Sequence, residues 1–101
     1  MREKSVEQRL QEEVKKIGGK AYKLSAAVDA GMPDRLVCIP GGKAIFVETK
    51  RPKGGRLSHI QRYRHKELRL MGFDVRVINT GEAVEEFIEE VRAKGGKNDA
   101  T

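Results

Sequence analysis

Asp34, Glu48 and Lys50 border or interrupt two apolar runs, "DRLVCI" and "KAIFVETK", in which a strand could have done without charge. Glu48 and Lys50 are two apart, so on a strand their side chains leave the same face. Two carboxylates brought to one point repel unless a cation holds them, and an all-oxygen site with open positions suits Mg²⁺ or Mn²⁺. An ion there lowers the pKa of water and polarises a phosphoryl oxygen, while Lys50 beside it stabilises the charge that grows on the phosphate. Phosphodiester hydrolysis fits this equipment. Glu7, on the flank of an amphipathic first helix, could reach the same place, and Gln61 could fix water or a ligand by hydrogen bonding.

Whether Asp34 meets Glu48 depends on the connection between the two runs. Directly opposed residues of an antiparallel pair share a face, so the paired numbers must sum to an even value. A two-residue turn at Gly41 and Gly42 would pair Pro40 with Lys43 and aim Asp34 away. The chemistry therefore requires a three-residue connection or a bulge near "PGGK", where both glycines permit φ > 0.

The elements that must position these groups are legible along the chain. Ser5 and Gln8 form a capping box ahead of Val6, Leu10, Val14 and Ile17 on one stripe, and Gly18 and Gly19 close that helix. "KAYKLSA" (20–26) reads as a strand and "VDAGMP" (28–33) as a loop, followed by the hairpin. "RPKGG" is a flexible basic loop, and Ser58 with Gln61 opens a second helix running to about Met71. "FDVRVIN" (73–79) is a strand, and Thr80 caps a last helix carrying Val84, Phe87, Ile88 and Val91. The order αβββαβα makes the "FVETK" and "FDVRVIN" strands parallel through a right-handed crossover, giving an α/β fold with a mixed sheet of about four strands flanked by helices. Residues 1–94 are expected to form the domain and 95–101 a disordered polar tail.

Composition limits the partners. The 101 residues suffice for one domain with one modest core. The net charge is +6 and the pI about 9.7, which favours an anionic partner, nucleic acid first. The excess is local: Arg51, Lys53, Arg56, Arg62, Arg64, Lys66 and Arg69 stand against Glu67 alone between 51 and 69, and the rest of the chain is balanced. Such a segment is the footprint of a phosphate-backbone contact. Lone Cys38 excludes an intrachain disulfide and reads as a strand core residue, and two histidines cannot build a structural zinc set. His59 and His65 read as helix-surface residues. No apolar run nears the roughly 18 residues that cross a bilayer, and the charged start is unlike a signal peptide; a cytoplasmic location without membrane partners is the expectation.

Each part alone is common. Glu-x-Lys is usually a surface ion-pair ladder, Pro-Asp a turn, Glu7 a solvated helix residue and Gln61 a cap. The ordered combination is specific. "GMPDR", "FVETK" and "KGGRLSHIQ" resemble the PD-(D/E)XK nuclease superfamily, in particular its VRR-NUC branch, over about Ser5 to Asn79. The resemblance implies an αβββαβ nuclease core and divalent-metal-dependent cleavage of structured DNA. It further implies metal ligation by Asp34, Glu48 and the Thr49 backbone carbonyl, Lys50 as catalytic lysine, Glu7 as the first-helix acid joining the metal's shell, and Gln61 as the helix glutamine. Arg35 stands where the family tends to carry an aliphatic residue; it joins Arg51, Lys53, Arg56, His59 and Arg62 as a candidate DNA contact.

A stand-alone core of this size resembles phage-type members that look like Holliday-junction resolvases and act as homodimers, which would place it in the host cell's cytoplasm. Symmetric incision of a junction needs two copies about a twofold axis. Tyr63, Leu70 and Met71 are the interface candidates, although each taken singly reads first as core packing. The alternatives to a resolvase are a flap or fork nuclease and a non-catalytic nucleic-acid-binding module.

Overall fold

In a computed structural model, which describes residues 4–25 and 29–96, the chain runs α1 (Val6–Lys16), β1 (Lys20–Lys23), β2 (Arg35–Ile39), β3 (Lys43–Thr49), α2 (His59–Leu70), β4 (Val75–Ile78), α3 (Gly81–Gly96). The strands form one sheet in the order β1-β2-β3-β4, antiparallel except for the β3–β4 pair. No helix among the described residues is long and apolar enough to cross a membrane.

Local chemistry starts the helices where the sequence indicates. The Ser5 hydroxyl accepts from the Gln8 N–H while the Gln8 side chain accepts from the Ser5 N–H, and Ser58 with Gln61 repeats the reciprocal pair. The Thr80 hydroxyl accepts from the Ala83 N–H at 3.0 Å. The strands are shorter than expected: β1 stops at Lys23 and β4 spans only Val75–Ile78. The other end of the expected first strand, at Ala26, lies outside the described residues, as do residues 97–101 of the expected tail. Gly95 and Gly96 belong to α3 rather than to that tail, within the residue or two by which helix ends are routinely misjudged.

One face of the sheet contributes Val37, Ile39, Ile45, Val47 and Ile78 to the core, where α1 brings Leu10 and Val14 and α3 brings Val84, Phe87, Ile88 and Val91. Among the described residues α2 is the one helix on the opposite face, seated through the buried His65 and Leu68. A single helix cannot shield what two shield on the other side. Cys38 is accordingly half-buried and not a core residue. Tyr63, Leu70 and Met71 likewise are not core: they project outward from α2 and its C-cap, Leu70 at 78% exposure.

The hairpin has the geometry that the chemistry requires. Register runs from Arg35 opposite Val47 to Ile39 opposite Lys43, every pair summing to the same even number, and leaves Pro40, Gly41 and Gly42 as a three-residue connection. Gly41 and Gly42 take φ of 97° and 80°, the region that glycine enters without a Cβ clash. Continued one residue past Arg35, this register sets Asp34 opposite Glu48.

Candidate active site

Glu48, near the end of β3, sends its side chain away from the α1–α3 core towards α2 and is only 4% exposed. Its Oε2 accepts from Gln61 Nε2 at 3.2 Å and lies 3.4 Å from Lys50 Nζ. Lys50 Nζ in turn donates to Gln61 Oε1 at 3.1 Å, so Glu48, Lys50 and Gln61 close a triangle. Gln61 Oε1 also accepts from the Ser58 N–H at 2.9 Å. The capping and site roles of Gln61 are therefore one arrangement: the bond that starts α2 also fixes the amide against Lys50 and Glu48.

Asp34 is held by the strand end opposite. Its Oδ1 accepts from the Thr49 N–H at 3.0 Å and its Oδ2 from the Thr49 hydroxyl at 2.8 Å. Asp34, Thr49, Lys50, Arg51 and Glu7 line one cleft of about 340 Å³. Burial, and next the Asp34 carboxylate, push the Glu48 carboxyl above its usual range. Glu48 Oε1 is buried without a hydrogen-bond partner. Two carboxylates short of a positive charge, one with an orphaned oxygen, are a donor set that fits a hard divalent cation.

That electrostatic debt has a measurable sign. With the folded-state carboxyl raised, ionised Glu48 costs stability once pH rises above the ordinary glutamate range, and protonation recovers it. In metal-free protein near neutral pH, Glu48→Gln should therefore stabilise the fold by about 0.5–2 kcal/mol, read as a Tm several degrees higher. Added Mg²⁺ should raise the Tm of the wild type and not of this variant.

Sequence reasoning missed His65. It is fully buried, four residues after Gln61 and hence on the same helix face, with Nε2 3.7 Å from Glu48 Oε1 and both ring nitrogens unpartnered. Burial, then Arg69 and Lys50, lower its pKa, so the imidazole beside Glu48 is neutral at pH 7. The helix-surface reading of His65 is overturned.

Glu7 and Arg35 take a different course from the expected one. Alternation places Arg35 on the α1 side of the sheet, opposite Val47, and it is 7% exposed, too buried to meet DNA. Its Nε and Nη2 donate to Glu7 Oε2 at 3.1 and 2.6 Å, and its Nη1 to the Ala21 carbonyl at 3.1 Å. Glu7 thus lines the cleft with its carboxylate held by a guanidinium. Among the described residues no three His, Cys, Asp or Glu side chains gather as a metal cluster; Asp34 and Glu48 are the two acids that the β2–β3 hairpin register brings opposite each other.

The basic segment divides. Arg64 clips the loop before β2, donating to the Ala30 carbonyl at 3.2 Å and pairing with Glu67 at 2.7 Å, and Arg69 donates to the Val75 carbonyl at 2.9 Å. Arg51, Lys53, Arg56, His59 and Arg62 are exposed, and none forms a salt bridge among the described residues. The loop that carries Arg51, Lys53 and Arg56 is folded tightly on itself: a Cβ on Gly55 would stand 2.5 Å from the Arg51 carbonyl oxygen and 2.8 Å from its nitrogen. Gly55→Ala should cost on the order of 1–3 kcal/mol in urea unfolding by forcing that backbone apart, and should shift Lys50, the residue at its foot.

No family model matches the chain. It is 45% identical over 80 residues to "Putative nuclease p44" of Acyrthosiphon pisum secondary endosymbiont phage 1, covering 79% of this chain and 85% of that protein. Among solved structures it resembles a VRR_NUC domain with a TM-score of 0.77 and 32% sequence identity, covering 83% of this chain and 90% of the other.

Proposed function

The chain belongs to the VRR-NUC family of nucleases, with the mixed α/β sheet of the PD-(D/E)XK type, and from that premise we propose that it is a divalent-metal-dependent, structure-selective DNA endonuclease resembling the junction resolvases. The observation that carries the reading is the convergence of Asp34, Glu48, Lys50 and Gln61 through the even-sum hairpin and the Ser58 cap.

Asp34, Glu48 and the Thr49 backbone carbonyl would hold Mg²⁺ or Mn²⁺. Such an ion, when bound, supplies Lewis acidity towards a phosphoryl oxygen and lowers the pKa of water. The chain's own residues do the rest. Lys50, fixed by Gln61, presents a cation on the same strand face as Glu48, where negative charge develops on the phosphate under attack. Gln61 holds that ammonium and Glu48 in one geometry and so spares the reorganisation a flexible lysine would need. Rigid strand ends aim the acids more accurately than loops would. Arg51, in the lining of the cleft, and the exposed Lys53, Arg56, His59 and Arg62 supply the backbone contacts that steer DNA to it.

The branched-substrate part of the proposal rests on two copies acting together, and the outward row of Tyr63, Leu70 and Met71 supplies an apolar surface for a twofold contact. Labelled four-way junction, flap, fork and linear DNAs, incubated with the protein with and without Mg²⁺ and mapped strand by strand, test the reading. Paired symmetric cuts across the junction support a resolvase, and one-sided cuts redirect it to flaps or forks. If every substrate survives in Mg²⁺ and in Mn²⁺, the nuclease reading is lost.

A further inference from the structure

We propose that Arg35 supplies, as a fixed guanidinium, the positive charge that a second divalent ion would otherwise bring to Glu7, so that the chain takes up one divalent ion, at Asp34 and Glu48. This deepens the metal-dependent reading and rests on it.

Glu7 is the acid placed to bring a second ion, because it lines the same cleft as Asp34. Its Oε2 is already committed. Two guanidinium nitrogens donate to Oε2, and the third is tied to the Ala21 carbonyl, so all the donor nitrogens of Arg35 are used in one rigid setting. A guanidinium keeps its charge at any pH a folded protein meets. For Glu7 to ligate an ion through Oε2 it must leave Arg35, stranding a cation that is 7% exposed without its counter-charge, the least favourable way to open a buried pair. If Glu7 stays, an incoming dication meets a carboxylate whose charge is already neutralised.

The balance of charge gives the same answer. Glu7, Asp34 and Glu48 stand with Arg35, Lys50 and the cleft-lining Arg51, three acids against three cations. One divalent ion turns this neutral balance positive, ready for a phosphate; a second would pile up positive charge before any DNA arrives. The sign of a missing cation is likewise on the α2 side, where Glu48 Oε1 is buried without a partner. Glu7 has no buried side-chain oxygen left without a partner.

The test counts ions without reading activity. Mn²⁺ bound per folded chain, from the EPR signal of free Mn²⁺ checked by calorimetry, should saturate at one for the wild type. Arg35→Leu frees Glu7 and should raise the count to two, and adding Glu7→Gln should return it to one. Two ions in the wild type, or one in a folded Arg35→Leu protein, overturn the inference while leaving the metal reading in place. No uptake at all overturns both. Should Arg35→Leu alone fail to fold, the double variant with Glu7→Gln, which removes both charges together and strands neither, decides: unchanged Mn²⁺ affinity supports the inference, whereas a loss of about tenfold or more, the cost of removing a group that serves a metal, overturns it.

Discussion

Lys50→Ala is expected to leave DNA binding intact and to slow cleavage by about 10²–10³-fold, the cost of losing one preorganised charge stabiliser. The reason is the position of the ammonium. It is held at 3.1 Å from Gln61 Oε1 and 3.4 Å from Glu48 Oε2, largely out of solvent, and its charge there acts on the phosphate with little screening. Lys50→Arg should not restore the rate, because a planar fork cannot occupy the place of a compact ammonium between Glu48 and the Gln61 amide. Single-turnover cleavage in Mg²⁺, paired with binding in Ca²⁺, separates the two effects. Glu48→Ala should behave alike in the assay but differ in metal uptake, since it removes a ligand. If Lys50→Ala cleaves at the wild-type rate, the triangle with Glu48 and Gln61 is structural and the chemistry lies elsewhere.

The second large effect concerns binding. Replacing Arg51, Lys53 and Arg56 together with glutamine should weaken DNA binding and reduce the slope of log K against log salt by about 0.9 for each phosphate no longer neutralised. Cleavage of saturating substrate should change far less. These three are exposed and form no salt bridge among the described residues, so their charges are free for phosphates. Arg64 and Arg69 provide the contrast. Each donates to a backbone carbonyl, of Ala30 or of Val75, and neutralising them should lower stability more than the salt slope. An unchanged slope in the triple variant would move the DNA path away from the "RPKGG" loop.

Much of the site was legible in the sequence because its determinants are local or follow from strand alternation. Two capping boxes placed the starts of α1 and α2, and the need for an even-sum hairpin named the turn that the glycines make. The same rule contained the fate of Arg35. If Asp34 faces α2, the next residue must face α1, where a guanidinium has to find an acid, and Glu7 is within reach. Charge suggested a DNA contact; alternation decided otherwise. His65 was similarly within reach of helix periodicity, four residues past Gln61, yet a histidine among arginines and lysines looks like a surface residue until the helix is seated on Glu48.

What the sequence could not give depends on how many helices cover each face. Cys38, Tyr63, Leu70 and Met71 are apolar enough for a core, and only the seating of one helix against two left them half-buried or outside. The division of the basic segment is also tertiary: Arg64 meets Ala30 across 34 residues of chain, a pairing with no local signature.

The most direct measurement of the central claim is where a divalent ion binds. Crystals grown or soaked with Mn²⁺ and measured at an energy with strong anomalous scattering from manganese locate the ion without reference to any substrate. A peak is expected in contact with the Asp34 and Glu48 carboxylates and the Thr49 carbonyl, on the α2 side of the sheet. A fully occupied manganese elsewhere, with Glu48 still bonded only to Gln61 and Lys50, would contradict it.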